Sequence, residues 1–200
     1  MKSVFSQDRY LVGDVVGEDI YEEITEKIQS FLAVENIYVL AIREIVAKLE
    51  NLREECLITM ERNPIYQIKT RVKTPRSIMD KLIRKEKQIS VESAKRNIDD
   101  IAGIRIICSY IDDIYLVAER ITAQNDIKLI RSSDYVKVPK PNGYRSLHLI
   151  VTVPINLSTI TERVKVEIQI RTIAMDSWAS IEHGLVYKQV DKETDNIVKE

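Results

Sequence analysis

Apolar and polar positions follow two rhythms along this chain. From Asp19 to Ile58 apolar residues recur every three or four positions beneath charged outer faces, which predicts one or two long helices. A short strand at 66–72 follows. In TPRSIMDKLIRKEKQ, Pro75 suits an early helical position, and Ile78, Leu82 and Ile83 form the predicted inward stripe. The β-branched run in NIDDIAGIRIICSY predicts a central strand at 103–110, which Asp100 enters. A helix over IDDIYLVAERITAQ, strands near 127–131, 146–153 and 163–171, and a helix from Ile173 to about Tyr187 complete the order. The fold class is therefore α+β: a mixed β-sheet flanked by helices packed on one face. The loop from Ser132 to Gly143 is long enough to carry function.

The alternation is most informative in KVEIQIRT. It puts Lys165, Glu167, Gln169 and Arg171 on one strand face and Val166, Ile168 and Ile170 on the other. An amphipathic edge strand with Glu and Arg paired would show the same pattern. A carboxylate, an amide and a guanidinium in one row are equally suited to a metal and a phosphate. Asp100 and Glu167 on neighbouring strands are the minimum equipment for one Mg²⁺, a hard cation that keeps waters for substrate phosphates to replace. Gly103 marks a close approach of ligand or backbone, and the parity of Arg105 places it on the ligand side.

Charge concentrates the picture further. The net charge of -1 hides an acidic stretch, residues 1–60, and a basic one, residues 61–90, each by about six units. The basic segment offers Arg71, Lys73, Arg76, Lys81, Arg84 and Lys85, with Ser77, Lys81 and Arg84 on adjacent turns of one helix face. A solvated basic face, a nucleic-acid patch and a polyphosphate grip all fit such a cluster. With five glycines and no glycine-rich phosphate loop, side chains would have to hold any phosphate. In DYVKVPKPNGYRSLHLIV, Lys137, Lys140, Asn142, Tyr144, Arg145 and His148 fall close together, and Tyr144 could stack on a base.

Composition adds exclusions. At 44% apolar and 30% charged, 200 residues suffice for one globular domain with a real core. Cys56 and Cys108 lack metal-ligand spacing, which fits a reduced, cytoplasmic compartment without disulfides. No apolar run approaches the ~20 residues that span a bilayer, and the N-terminus has no signal-peptide pattern.

Taken in order, KTRVKTPRSIMDK, DIAGIRI, PNGYRSLHL, VEIQIRT and AMDSWASIEH resemble the synthetase domain of the RelA/SpoT family, specifically its single-domain small alarmone synthetases, over roughly residues 60–188. The resemblance implies a nucleotidyltransferase-like domain at 61–200 behind a helical extension at 1–60. It also implies Mg²⁺-dependent transfer of the β,γ-pyrophosphoryl group of ATP to the 3′-hydroxyl of GDP or GTP. Matching motif to motif, Arg71 and Arg105 would sandwich the adenine, and Lys73, Ser77, Lys81 and Arg84 would engage the ATP phosphates. Asp100 and Glu167 would hold Mg²⁺, with Glu167 also taking the proton of the attacking hydroxyl. Tyr144 would stack the guanine; Lys140, His148, Gln169 and Arg171 would complete the acceptor site. Asp176 looks like the RelP-like branch. As a pure acceptor of hydrogen bonds it would help select guanine, or else serve as a helix N-terminal charge.

Trp178 reads as a core anchor with Ile181 and Leu185, and Glu182 with His183 as either motif or structural pair. With only two histidines, no His-Asp hydrolase site can be assembled. The family further implies a homotetramer built by C-terminal helices, which an end at Glu200 puts in question. Two other readings compete: an RNA-binding regulatory module, with single-stranded RNA as partner, and a pyrophosphokinase acting on an adenosine nucleotide or a tRNA 3′ end.

Overall fold

In the computed structural model, residues 18–182 are described. They fall into two compact units. One takes in residues 18–37 together with Lys73–Ile98; the other takes in Tyr38–Val72 and residues 99–182.

The second unit holds a five-stranded sheet. Its strands are β1 (Ile65–Val72), β2 (Ala102–Cys108), β3 (Lys128–Asp134), β4 (Leu147–Asn156) and β5 (Thr161–Thr172), in the order β1-β2-β5-β4-β3. Only β2 and β5 pair in parallel; the other three pairings are antiparallel, so the sheet is mixed. Strand β2 is buried at every position except Arg105, as its continuous apolar run requires.

Helix α1 (Glu18–Met60) runs unbroken, with neither glycine nor proline inside it. It stops where Glu61 adopts φ 55° and Pro64 follows. Its later turns belong to the sheet's unit and bury Tyr38, Ala41, Ile45, Leu49, Leu52 and Cys56, the three-and-four spacing of a single face. Helix α4 (Ile111–Thr122) lies beside them: Arg120 donates to Glu55 at 2.7 Å, and Lys48 pairs with Asp126 just past its end at 2.8 Å. Its first turn is tied down by Asp113, which is fully buried, accepts from the Tyr110 N–H at 3.3 Å and meets Arg62 at 2.7 Å.

The other unit contains α2 (Pro75–Arg84) and α3 (Val91–Asn97). Thr74 caps α2 by accepting from the Ser77 N–H, Ser90 caps α3 in the same way, and Lys85 donates to the Asn97 carbonyl at 3.0 Å. The inward stripe of α2 is Ile78 and Leu82 alone. Ile83 is 59% exposed, because one residue beyond Leu82 turns about 100° away from the buried face. Helix α3 went unread in the sequence: at seven residues it is too short for apolar periodicity to declare it.

The last helix, α5, covers residues 173–182 of the described chain. Trp178 on it is no core anchor, being 51% exposed, and Ile181 is exposed as well. Leu185, His183 and Tyr187 lie outside the described residues.

Candidate active site

Register assembles the site. Side chains alternate across a strand, so the pairings Gly103↔Glu167, Arg105↔Gln169 and His148↔Gln169 put these groups on one face. On β1, Arg71 stands opposite Gly103 and Lys69 opposite Arg105. Together with Glu167 and Gln169 they line an open recess. The Arg71 side chain lies across Gly103: a Cβ there would sit 3.4 Å from its Cγ and Nε, at the edge of ordinary contact.

A closed ring of polar contacts occupies the face. Gln169 donates to Glu167 at 3.0 Å, and Arg171 donates to Gln169 at 2.6 Å and to the Tyr144 hydroxyl at 3.1 Å. The Tyr144 hydroxyl meets His148 Nε2 at 2.9 Å, and His148 Nδ1 faces Glu167 at 3.4 Å. Burial opposes the charge on Glu167 and the nearby Asp100 repels it. The bonds from His148 and Gln169 prevail and hold its carboxyl below the ordinary glutamate range. Glu167 is thus a carboxylate at neutral pH. Arg171, only 1% exposed, has its pKa lowered chiefly by burial.

Asp100 stands two residues before β2 and acts on Glu167 through its charge. Among the described residues no group of three or more metal-ligating side chains occurs. Two neighbouring carboxylates, one of them held ionised, do fit a Mg²⁺ that takes its remaining ligands from water and phosphate.

The turn before β4 carries the aromatic groups. Gly143 adopts φ 80°, its N–H reaching the Lys140 carbonyl at 2.8 Å. Lys140 lies 4.8 and 5.0 Å from the ring centres of Tyr135 and Tyr144. Asn142 accepts from the Tyr144 N–H and donates to Glu182 at 2.9 Å, so Glu182 finds its partner in this turn. The Trp178 indole packs against Gly143.

Asp176 does not stand as a free acceptor for guanine. Its carboxylate accepts from Lys69 at 3.0 Å and from Arg105 at 3.2 Å, with Arg171 at 3.6 Å. Lys69 and Tyr135 escaped the sequence reading. Lys69 shares the parity of Arg71, which was the one available signal. Lys73, Ser77, Lys81 and Arg84 lie on or just before α2 in the other unit, where Ser77 and Arg84 are exposed.

Fold and face together define an α+β protein whose mixed sheet carries a carboxylate beside a guanidinium-lined recess. Residues 70–192 match the family described as a region found in RelA / SpoT proteins, and the chain belongs to that family. It is 47% identical over 152 residues to the GTP pyrophosphokinase YwaC of Bacillus subtilis, covering 76% of this chain and 72% of that one. The crystal structure of small alarmone synthetase 2 from Bacillus subtilis superposes with a TM-score of 0.70 at 44% identity, covering 78% of this chain and 81% of that one. Small alarmone synthetase 1 from the same organism, bound to its product pppGpp, gives 0.68 at 40% identity, covering 76% of each chain. It has also been solved bound to AMPCPP.

Proposed function

We propose that the protein is a GTP pyrophosphokinase: it transfers the β,γ-pyrophosphoryl group of ATP to the 3′-hydroxyl of GDP or GTP, yielding ppGpp or pppGpp and AMP. The observation that carries this reading is Glu167, kept ionised by His148 and Gln169 directly beside Gly103 and the Arg71 recess. In this reading the acceptor oxygen attacks the β-phosphorus as its proton passes to Glu167. The bond to the α,β-bridging oxygen breaks and AMP leaves.

Positioning and charge stabilisation carry most of such a transfer. Arg71 and Arg105 hold the adenine, and Lys73, Ser77, Lys81 and Arg84 take ATP phosphates. Tyr144 stacks the guanine, with Lys140, His148, Gln169 and Arg171 around the acceptor. Asp100 and Glu167 would hold Mg²⁺, which neutralises the charge developing on the transferred group when bound. In this reading the catalytic domain spans residues 61–200 behind a helical extension. The working form is a cytoplasmic homo-oligomer, tetrameric by family resemblance, and the RelP-like branch rests on the aspartate at 176. The RNA-binding alternative is disfavoured, because an ionised Glu167 would repel an RNA backbone.

The test is incubation with ATP, Mg²⁺ and GDP, GTP, ADP or tRNA in parallel, with nucleotides resolved by anion exchange. AMP is expected in step with guanosine tetra- or pentaphosphate. Glu167→Gln is expected to lower the rate by at least about 10³-fold, the scale of losing a base that is also a metal ligand. Turnover surviving that substitution sinks the assignment.

A further inference from the structure

Asp176 is a carboxylate the proposed chemistry leaves without a task. It is 7% exposed, and the cations around it come from three strands: Lys69 on β1, Arg105 on β2 and Arg171 on β5. Without a negative charge among them, Arg105 and Arg171 would repel each other. Nε of Arg105 is buried with no hydrogen-bond partner, and among the described residues no other acceptor takes a hydrogen bond from its side chain. The Asp176 carboxylate is therefore what orients that guanidinium. Lys69 holds the second carboxylate oxygen and fixes the carboxylate's own rotation.

We infer that Asp176, oriented by Lys69, is a positioning residue for the donor nucleotide: it sets the Arg105 guanidinium at the recess and so governs ATP affinity without touching either nucleotide. This rests on Arg105 being an adenine contact, as in the proposed function. It differs from a guanine-selecting Asp176, which would act on the acceptor.

The experiment measures KM for ATP and for GDP, kcat, and the dissociation constant of AMPCPP. It compares the wild type with Asp176→Asn, Asp176→Glu, Lys69→Met, Arg105→Ala and the Asp176→Asn/Arg105→Ala double variant. Asp176→Asn is expected to raise KM for ATP and the AMPCPP constant about tenfold, the scale of one charge-assisted hydrogen bond. KM for GDP and kcat should stay within about threefold, since the hydrogen bonds of the carboxylate go to Lys69 and Arg105, and Arg171 of the proposed acceptor side stands farther off at 3.6 Å. Asp176→Glu should recover part of the loss. In the Arg105→Ala background the Asn substitution should add less than about twofold, because the two residues act as one unit.

Full additivity in that background overturns the inference. So does an altered preference for GDP over ADP with ATP affinity unchanged. If Asp176→Asn fails to fold, Lys69→Met, at an exposed position, should weaken AMPCPP binding about threefold, and unchanged binding there overturns the inference. Wild-type protein that binds AMPCPP but makes no alarmone sinks the pyrophosphokinase reading instead, while the binding constants still decide the role of Asp176.

Discussion

The Tyr144 hydroxyl closes the ring on the sheet face, and its removal separates two tasks of one side chain. Tyr144→Phe keeps the aromatic face proposed for the guanine but takes the acceptor from Arg171, whose guanidinium is buried, and the partner from His148. A buried donor left unsatisfied costs about 1–3 kcal/mol. A lowered melting temperature and a fall in kcat larger than the rise in KM for GDP are expected from thermal denaturation and steady-state kinetics. The two thiols are predicted to be silent. Burial, aided by the charge of Asp113, pushes Cys108 up to about 12, and burial also raises Cys56 against the pull of Arg120. A thiol-specific reagent at pH 8 should titrate neither until denaturant is added, and rapid labelling of the native protein would contradict the packing. At this scale the sequence was informative where alternation alone decides direction, as at Glu167, Gln169 and Arg171. It was mute at Lys69 and Tyr135, whose importance depends on which strand lies alongside.

Among the elements, the turn at Lys140–Gly143 shows how backbone conformation sets a side chain's address. Gly143 sits at positive φ, and the Trp178 indole lies at ordinary contact distance from where a Cβ would go. Gly143→Ala is expected to cost about 1–2 kcal/mol in denaturant unfolding, from left-handed strain. As Trp178 is the chain's one tryptophan, its emission should shift with it. An unchanged spectrum would mean that turn and helix are not engaged. Sequence patterning found every strand to within a few residues, because the β-branched runs are long. It misplaced Trp178 and Ile83, where helical periodicity shows that a stripe exists but not how far around the helix it reaches. The short α3 went unread, because seven residues are too few for apolar periodicity to show.

For the molecule as a whole, ion pairs beside the sheet's helical layer give a pH signature. Lys48 is raised above its ordinary 10.5, chiefly by its hydrogen bond to Asp126. A group raised on folding contributes stability that is fully present below its unfolded pKa and lost as pH rises through the folded one. Chemical denaturation between pH 9 and 12 should therefore show a decline that Lys48→Met reduces; an identical pH profile in both proteins would count against the pair. The overall architecture was readable in advance as a mixed sheet with helices. Strand order was not, because it depends on pairings between distant segments.

That order has a temporal consequence. The last strand in the chain, β5, is the middle of the sheet, between β2 and β4. During synthesis β1 can pair with β2 and β3 with β4, leaving two half-sheets, each with a bare edge, waiting for the segment that joins them. The same segment brings the carboxylate. A growing polypeptide accordingly presents Arg71 and Arg105, the arginines proposed for the adenine, well before Glu167, which arrives with the closing strand.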